Sequence, residues 1–118
     1  MEHVSECIFC NIINGAVSAD IVFDGGDTLF FKDIHPKAPV HLLVIPKVHI
    51  QSIAHLEDDH NDIIAKLVYT AKKVAQDQGL RGYKLLFNVG KEGGQVIDHL
   101  HLHILGGWNN IEDRKLIV

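Results

Sequence analysis

The chain is short of cysteine. Its 118 residues include only Cys7 and Cys10, which are separated by two residues. A disulfide framework would need more cysteines and wider loops. We therefore expect a reducing, intracellular environment and a cytoplasmic location.

Long apolar runs are also missing. No stretch approaches the roughly 20 residues that span a bilayer, and residues 1–6 lack the basic start and apolar run of a signal peptide. The formal net charge is −4 with the histidines neutral. Such mild acidity gives no electrostatic reason to expect a nucleic acid or a membrane surface as a partner.

Histidine, by contrast, is abundant, with nine residues. Hydrophobic residues make up 47% and charged residues 22% of the chain, which is typical of a globular protein. The chain shows no internal repeat, low-complexity tract or linker. We therefore expect residues 1–118 to form a single domain.

Two helices are predicted. Glu6–Asn14 is a short amphipathic segment with Ser5 as its cap and Gly15 as its stop. A longer helix ends at Gly79, and its apolar residues recur at helical spacing. These apolar residues are Ile63, Ile64, Leu67, Val68, Ala71, Val74 and Ala75.

Five short β-type segments accompany the helices. Residues 24–27, Asp-Gly-Gly-Asp, have the chemistry of a hairpin turn between the first two. Antiparallel strands with helices inserted between them predict an α+β domain. The five predicted strands are Asp20–Phe23, Thr28–Lys32, His41–Ile45, Lys84–Val89 and His99–Leu105.

The last predicted strand alternates histidine with aliphatic residues. Because side chains alternate between faces, His99, His101 and His103 would share one face at a spacing of roughly 7 Å. That spacing suits one phosphate contacted by two imidazoles, or one metal ion held by two. A half-buried strand with a polar histidine face is the structural alternative. The glycine-bearing loop 90–95 directly upstream favours a functional site.

The run His-x-His-x-His followed by two apolar residues resembles the signature of the histidine triad (HIT) superfamily. Residues 38–47 and Gly93-Gly94-Gln95 are similar to its Hint branch, and the resemblance extends from Cys7 to Trp108. It implies a HIT-like fold, with a five-stranded antiparallel sheet, one long and one short helix, and a homodimer in which two sheets join.

The resemblance implies a hydrolase that cleaves the P–N bond of purine nucleoside 5′-phosphoramidates. His101 would attack the α-phosphorus and form a covalent nucleotidyl-histidine. A neutral imidazole, with an unperturbed pKa of about 6.5, is a competent nucleophile near neutral pH. A hydrogen bond from the region of His99 would fix its tautomer, and His103 would touch the phosphate or the leaving group. Asn88, Gly94 and Gln95 match positions that hold the phosphate through amide donors.

A nucleoside pocket is implied in the same way. Asp33 matches the acceptor of the ribose hydroxyls, and Ile34 lies beside it. Asp33 could equally cap a turn before Pro36, and the apolar residues could be ordinary core. The expected walls of the base pocket are Ile8, Phe9, Ile12 and Phe31.

Two residues depart from the Hint pattern. Val96 replaces a polar residue near the leaving group, so only its backbone amide could contribute there. Asp98 replaces an aromatic residue, and no role is assigned to it. His41 matches a supporting histidine near the triad. No role is assigned to His3, His35, His55 or His60, and nothing in residues 109–118 says how they would shape the leaving-group preference.

Cys7 and Cys10 share one face of the predicted helix. They could be two small buried hydrophobes. Relatives that bind zinc through such a pair and two histidines imply a closed structural site with His49 and His99 as the other ligands. Catalysis itself is expected to need no cofactor.

Other functions remain open at this point. A diadenosine polyphosphate hydrolase is the enzymatic alternative, although the Gly93-Gly94-Gln95 loop favours Hint. A non-catalytic purine-nucleotide-binding protein belongs to a different class. A zinc enzyme that uses the three strand histidines as ligands is a third.

Overall fold

The computed structural model describes residues 5–113, in which five antiparallel strands form one sheet. The sheet order is β1-β2-β3-β5-β4. This confirms the predicted α+β fold, and joining of two sheets across a homodimer stays a prediction. The elements are α1 (Ile8–Ile13), β1 (Ile21–Asp24), β2 (Thr28–Lys32), β3 (Val40–Pro46), α2 (Asn61–Asp77), β4 (Tyr83–Phe87) and β5 (Leu102–Gly106).

Helix α2 covers one face of the sheet. Its residues Leu67, Ala71, Val74 and Ala75 are buried and pack in one core with β2, β3 and β5. Gly79 follows the helix with a φ of +76°, as the predicted stop requires. The prediction is wrong for one residue of the apolar helical repeat, since Val68 is 42% exposed. No helix within residues 5–113 is long and apolar enough to cross a membrane.

Helix α1 begins later than predicted. The sulfur of Cys7 accepts a hydrogen bond from the amide of Cys10 at 3.4 Å and so caps the helix. The predicted cap, Ser5, instead accepts from the amide of Cys7 at 3.0 Å, one step upstream. The capping interaction belongs to a thiol because Cys7 has the extended backbone of an N-cap residue.

The second core lies on the opposite face of the sheet. Phe9 of α1 packs there against Leu29, Phe31, Leu43 and Ile45. Alternation along β2 and β3 separates these side chains from those that face α2. The face beside α1 therefore has room for a site, because α1 is only six residues long.

Strand β5 is shorter than predicted at its start. Leu102 pairs with Val44 of β3 and Phe87 of β4, where both ladders end. Residues upstream of Leu102 pair with neither strand, although β3 continues to Pro46. The amide of Leu100 donates to the carbonyl of Ile50 at 2.7 Å instead. His99 and His101 consequently lie before the strand, and only His103 lies within it. Strand β2 has its predicted bounds, and the remaining strand ends differ from the predicted ones by one or two residues.

Candidate functional site

A cavity of about 680 Å³ opens on the α1 face of the sheet. Eleven of the twelve residues predicted to bind nucleotide line it. The lining combines apolar side chains with a smaller number of polar ones, as an amphipathic ligand requires. The apolar members are Ile8, Phe9, Ile12, Phe31, Ile34 and Val96, and the polar or glycine members are Asp33, Asn88, Gly94, His101 and His103.

Gln95 is the exception. Its side-chain amide donates to the carbonyls of Gln51 and Ile97 at 2.8 and 3.0 Å. Its backbone amide donates to the carbonyl of Gly90 at 3.0 Å. These donors all have partners within the protein, so the phosphate contact of Gln95 gains no support from this geometry and stays a prediction. The residue closes the loop that carries Gly94.

His101 lines the cavity and is almost fully buried. Its Nδ1 lies 2.7 Å from the carbonyl oxygen of His99. A carbonyl only accepts, so the proton of a neutral His101 is on Nδ1 and Nε2 keeps a lone pair. The hydrogen bond expected from the region of His99 is therefore present. The edge of Phe9 packs on the ring at 5.2 Å between centroids.

His103 receives the opposite tautomer through His41. The backbone amide of Lys37 donates to Nδ1 of His41 at 3.0 Å, so the proton of a neutral His41 is on Nε2. That nitrogen lies 2.9 Å from Nδ1 of His103, which must accept. The proton of His103 is then on Nε2, which is buried in the wall of the cavity and has no hydrogen-bond partner among residues 5–113.

Sheet register explains why these two histidines meet. Leu43 pairs with His103 and His41 pairs with Leu105 on adjacent strands, so the two imidazoles are diagonal neighbours on one face. Burial, aided by the nearby His101 and His41, lowers the pKa of His103 to about 4. Burial also lowers the pKa of His41, which the charge of Asp33 partly opposes. Both rings are accordingly neutral near pH 7.

Asp33 stabilises a turn and also lines the cavity, and its role as the acceptor of ribose hydroxyls stays a prediction. Its Oδ1 accepts from the amide of His35 at 2.8 Å, which stabilises the turn before Pro36. Its Oδ2 lies 3.4 Å from Nε2 of His41. The side chain also lines the cavity, so the carboxylate has lone pairs available to a ligand.

The glycine loop sets the polar rim of the cavity. Gly94 has a φ of +90°, which favours glycine, and a Cβ added there would lie 3.9 Å from the side chain of Asn88. Val96 is 91% exposed at the rim. Asp98 is exposed and is not among the cavity residues, so its location suggests no role in binding.

Four ligand atoms converge beside α1. Nδ1 of His99 lies 3.4 Å from Sγ of Cys7 and 3.6 Å from Sγ of Cys10. Nδ1 of His49 lies 3.4 Å from Sγ of Cys10 and 3.1 Å from Nδ1 of His99. A tetrahedral zinc ion with bonds of about 2.0–2.3 Å separates its ligand atoms by about 3.3–3.8 Å. The spacing and the donor types fit zinc.

The remaining nitrogen of His99 is also used. Its Nε2 donates to the carbonyl of Pro46 at 2.8 Å, which leaves Nδ1 as a lone pair directed at the thiols. Burial lowers the pKa of His99 to about 4, partly opposed by this hydrogen bond. Burial, aided by Cys7, raises the pKa of the Cys10 thiol to about 11. Metal binding would therefore displace a proton from Cys10.

The three alternating histidines do not converge on one point. Within residues 5–113, the two groups close enough to hold a metal are the Cys7, Cys10, His49 and His99 cluster and the group of Asp33, His41 and His103. Neither contains His101, and His99 faces the cysteines. This arrangement gives no support to a zinc enzyme with all three as ligands.

Sequence reasoning missed Lys37, Leu86 and Ile97 as cavity residues. His35 lies at the cavity as well, whereas His55 hydrogen-bonds Ser52 at 2.7 Å outside it. His60 accepts from the amide of Glu57 at 2.9 Å and caps a short turn. His3 and residues 114–118 lie outside the described part of the chain.

Comparison with known proteins adds independent findings. The family described as "Scavenger mRNA decapping enzyme C-term binding" matches residues 6–114. Protein HitA of Neisseria gonorrhoeae is 44% identical over 104 residues, which cover 87% of this chain and 97% of HitA.

Solved structures of histidine triad proteins are similar to this chain in both fold and sequence. A HIT family hydrolase from Legionella pneumophila has a TM-score of 0.85 and 48% identity, over 87% of this chain and 94% of the other. A histidine triad protein from Clostridium difficile has a TM-score of 0.85 and 38% identity, over 93% of this chain and 96% of the other.

Proposed function

Since the chain belongs to the histidine triad superfamily, we propose that it hydrolyses the P–N bond of purine nucleoside 5′-phosphoramidates. Similarity to HIT family hydrolases supports the general assignment as a hydrolase. The observation that carries the proposal is the pair of opposite tautomers in one cavity. His101 offers a lone pair and His103 an N–H group, each on Nε2.

These tautomers suit the two needs of nucleotidyl transfer. Nε2 of His101 would form a bond to the α-phosphorus while the bond to the leaving nitrogen breaks, and that nitrogen takes up a proton from solvent. Nε2–H of His103 would donate to an oxygen on which charge develops. Water would then cleave the bond to His101, releasing the nucleoside monophosphate and a proton and restoring the lone pair.

The carbonyl of His99 has a further part in this scheme. Once Nε2 of His101 is bonded to phosphorus, the ring carries positive charge and Nδ1 keeps its proton. The hydrogen bond to the carbonyl, 2.7 Å long in the free protein, would stabilise that charge. No metal ion takes part in these steps.

The Cys7, Cys10, His49 and His99 cluster would hold a structural zinc. Such an ion would tie α1 to the segment that carries His101, because Cys7 and Cys10 belong to the start of α1 and His99 lies two residues before His101. The protein's own residues would still bind the nucleotide and attack phosphorus.

A homodimer is the remaining part of the proposal. Among the described strands, β4 pairs only with β5, so its outer edge leaves backbone groups for another strand. Leu85 and Leu86 on this edge strand are exposed. Sedimentation of the purified protein as a monomer would contradict the joined sheets.

The test is hydrolysis of a fluorogenic adenosine phosphoramidate. We expect turnover by the native chain, no turnover by His101→Ala, and retained binding of adenosine monophosphate by that variant. His55→Ala is the matched control, since His55 lies outside the cavity, and it should keep native activity. Undiminished turnover by His101→Ala would overturn the mechanism. Cleavage of diadenosine polyphosphate alone, or binding without turnover, would assign one of the alternative functions.

A further inference from the structure

One proton in the cavity has two competing acceptors. Nε2–H of His41 lies 2.9 Å from Nδ1 of His103 and 3.4 Å from Oδ2 of Asp33. The imidazole is nearer, but the carboxylate is ionised and therefore attracts an N–H group more strongly at equal distance. The proton is thus shared between two sides of the cavity.

A neutral His41 has only one N–H group to offer to the two acceptors, Asp33 and His103. Its Nδ1 is occupied by the amide of Lys37 at 3.0 Å and cannot take a proton without losing that hydrogen bond. The His41 side chain is almost completely buried, so water offers little compensation. Any change in what Asp33 accepts must alter what His103 receives.

Ribose would make such a change. In the proposed function, the hydroxyl groups of the nucleoside donate to Asp33. Oδ1 of Asp33 already accepts from the amide of His35 at 2.8 Å, so Oδ2 is the oxygen with free capacity on the side of His41. A hydroxyl on Oδ2 would satisfy the carboxylate and release the N–H of His41 to His103.

We propose that Asp33 is a positioning residue for His103 as well as the acceptor of the ribose hydroxyls. Ribose binding commits the His41 proton to Nδ1 of His103 and so fixes His103 as an Nε2–H donor toward the phosphate. A correct sugar thereby assembles the phosphate site. This inference rests on the proposed function, because it assumes that a nucleotide occupies the cavity.

The kinetic test compares ribose and 2′,3′-dideoxyribose forms of the adenosine phosphoramidate. In the native chain the dideoxy form should lose about tenfold or more in kcat in addition to a higher KM. A carboxylate that only binds ribose would change KM and leave kcat alone.

Asp33→Asn provides the decisive variant. Its amide oxygen can still accept from the amide of His35, and its NH₂ group cannot compete for the proton of His41. We expect a raised KM for the ribose substrate, a kcat within about threefold of native, and equal kcat for both sugars. The variant should therefore turn over the dideoxy substrate about three- to tenfold faster than the native chain does. Loss of kcat for both sugars would overturn the inference.

Ile34→Ala is the matched control, since Ile34 adjoins Asp33 in the cavity and is exposed. It should raise KM and keep the native difference in kcat between the two sugars. Equal kcat for both sugars in this variant would overturn the specific role of the carboxylate.

A spectroscopic readout does not depend on turnover or on a variant. In protein with ¹⁵N-labelled histidine rings, saturating adenosine should move Nε2 of His103 to the N–H position, and 2′,3′-dideoxyadenosine should not. Identical spectra with both nucleosides, in a protein that hydrolyses the phosphoramidate, would overturn this inference alone. Failure of adenosine to bind would overturn the proposed function as well.

Discussion

Nδ1 of His101 donates to the carbonyl of His99 at 2.7 Å, whereas Nδ1 of His103 accepts from His41 at 2.9 Å. Two histidines of one segment therefore carry opposite tautomers, although their residue types are the same. Backbone groups cause the difference. The carbonyl of His99 sets the tautomer of His101, and the amide of Lys37 sets that of His103 through His41. The carbonyl therefore positions the ring of His101 before any ligand arrives, whereas the proton that His41 offers to His103 is also within reach of Asp33.

Removal of His41 should impair chemistry more than binding. His41→Ala would leave Nδ1 of His103 without its donor, so we expect kcat to fall by about 10- to 100-fold with KM within about threefold. His41→Gln carries an amide NH₂ that can reach the same nitrogen and should recover part of the loss. Steady-state kinetics of both variants provide the measurement. Native kcat in His41→Ala would show that His103 needs no partner.

The glycine loop offers a matched pair of substitutions. Gly94→Ala places a side chain at a φ of +90°, which should cost about 1 kcal/mol and displace the cavity rim. Gly93→Ala adds a Cβ with no atom within 4 Å and no positive φ. We expect kcat/KM to fall at least fivefold in the first variant and to stay native in the second. Equal values in both variants would contradict the role of Gly94.

Zinc should stabilise the fold without serving the reaction. Cys7→Ser keeps an oxygen that can cap α1 but removes one thiolate, so zinc content measured by elemental analysis should fall. The native chain should unfold at a higher temperature than the variant, and a chelator should remove most of that difference. Turnover should persist after chelation. Unchanged zinc content in Cys7→Ser would contradict the four-ligand site.

Stability should depend on pH through His103. An imidazole in the unfolded chain titrates near 6.5, whereas the pKa of His103 in the fold is about 4. Between these values the unfolded chain binds more protons, so the free energy of unfolding falls as the pH decreases from 6.5 to 4. The loss from this residue is about 3 kcal/mol.

Urea unfolding at several pH values measures this dependence. In metal-free protein His99 should add to the loss over the same range, because burial lowers its pKa to about 4 as well. His103→Asn removes one titrating ring and should flatten the curve. An identical slope in that variant would contradict the assignment.

Much of the fold could be predicted because its patterns are local. The bounds of β2 are the predicted ones, Thr28–Lys32, since the segment is bounded by turn residues and ends before Asp33. Helix α2 shows the helical repeat over four turns. The start of β5 could not be predicted, because it is set by where pairing with β3 and β4 stops rather than by the alternation in β5 itself.

In the candidate site, too, local patterns could be predicted and contacts with distant backbone groups could not. Motif positions predicted which residues line the cavity, because those residues occupy fixed places on strands and loops. The use of Gln95 inside its own loop depends on the carbonyls of Gln51 and Ile97, and no side-chain pattern indicates them. The amide of Lys37 is likewise invisible in a list of residue types, yet it sets the proton of two histidines.

The length and the contacts of helix α1 indicate when it docks during folding. A helix of six residues is unstable alone in water, and the ring of Phe9 gains its partners from Phe31, His99 and His101. The contact between Cys7 and His99 closes a loop of 92 residues, which is entropically expensive before the sheet exists. The first helix of the chain is thus among the last elements to dock, and its amides should exchange with solvent by local opening while α2 stays protected.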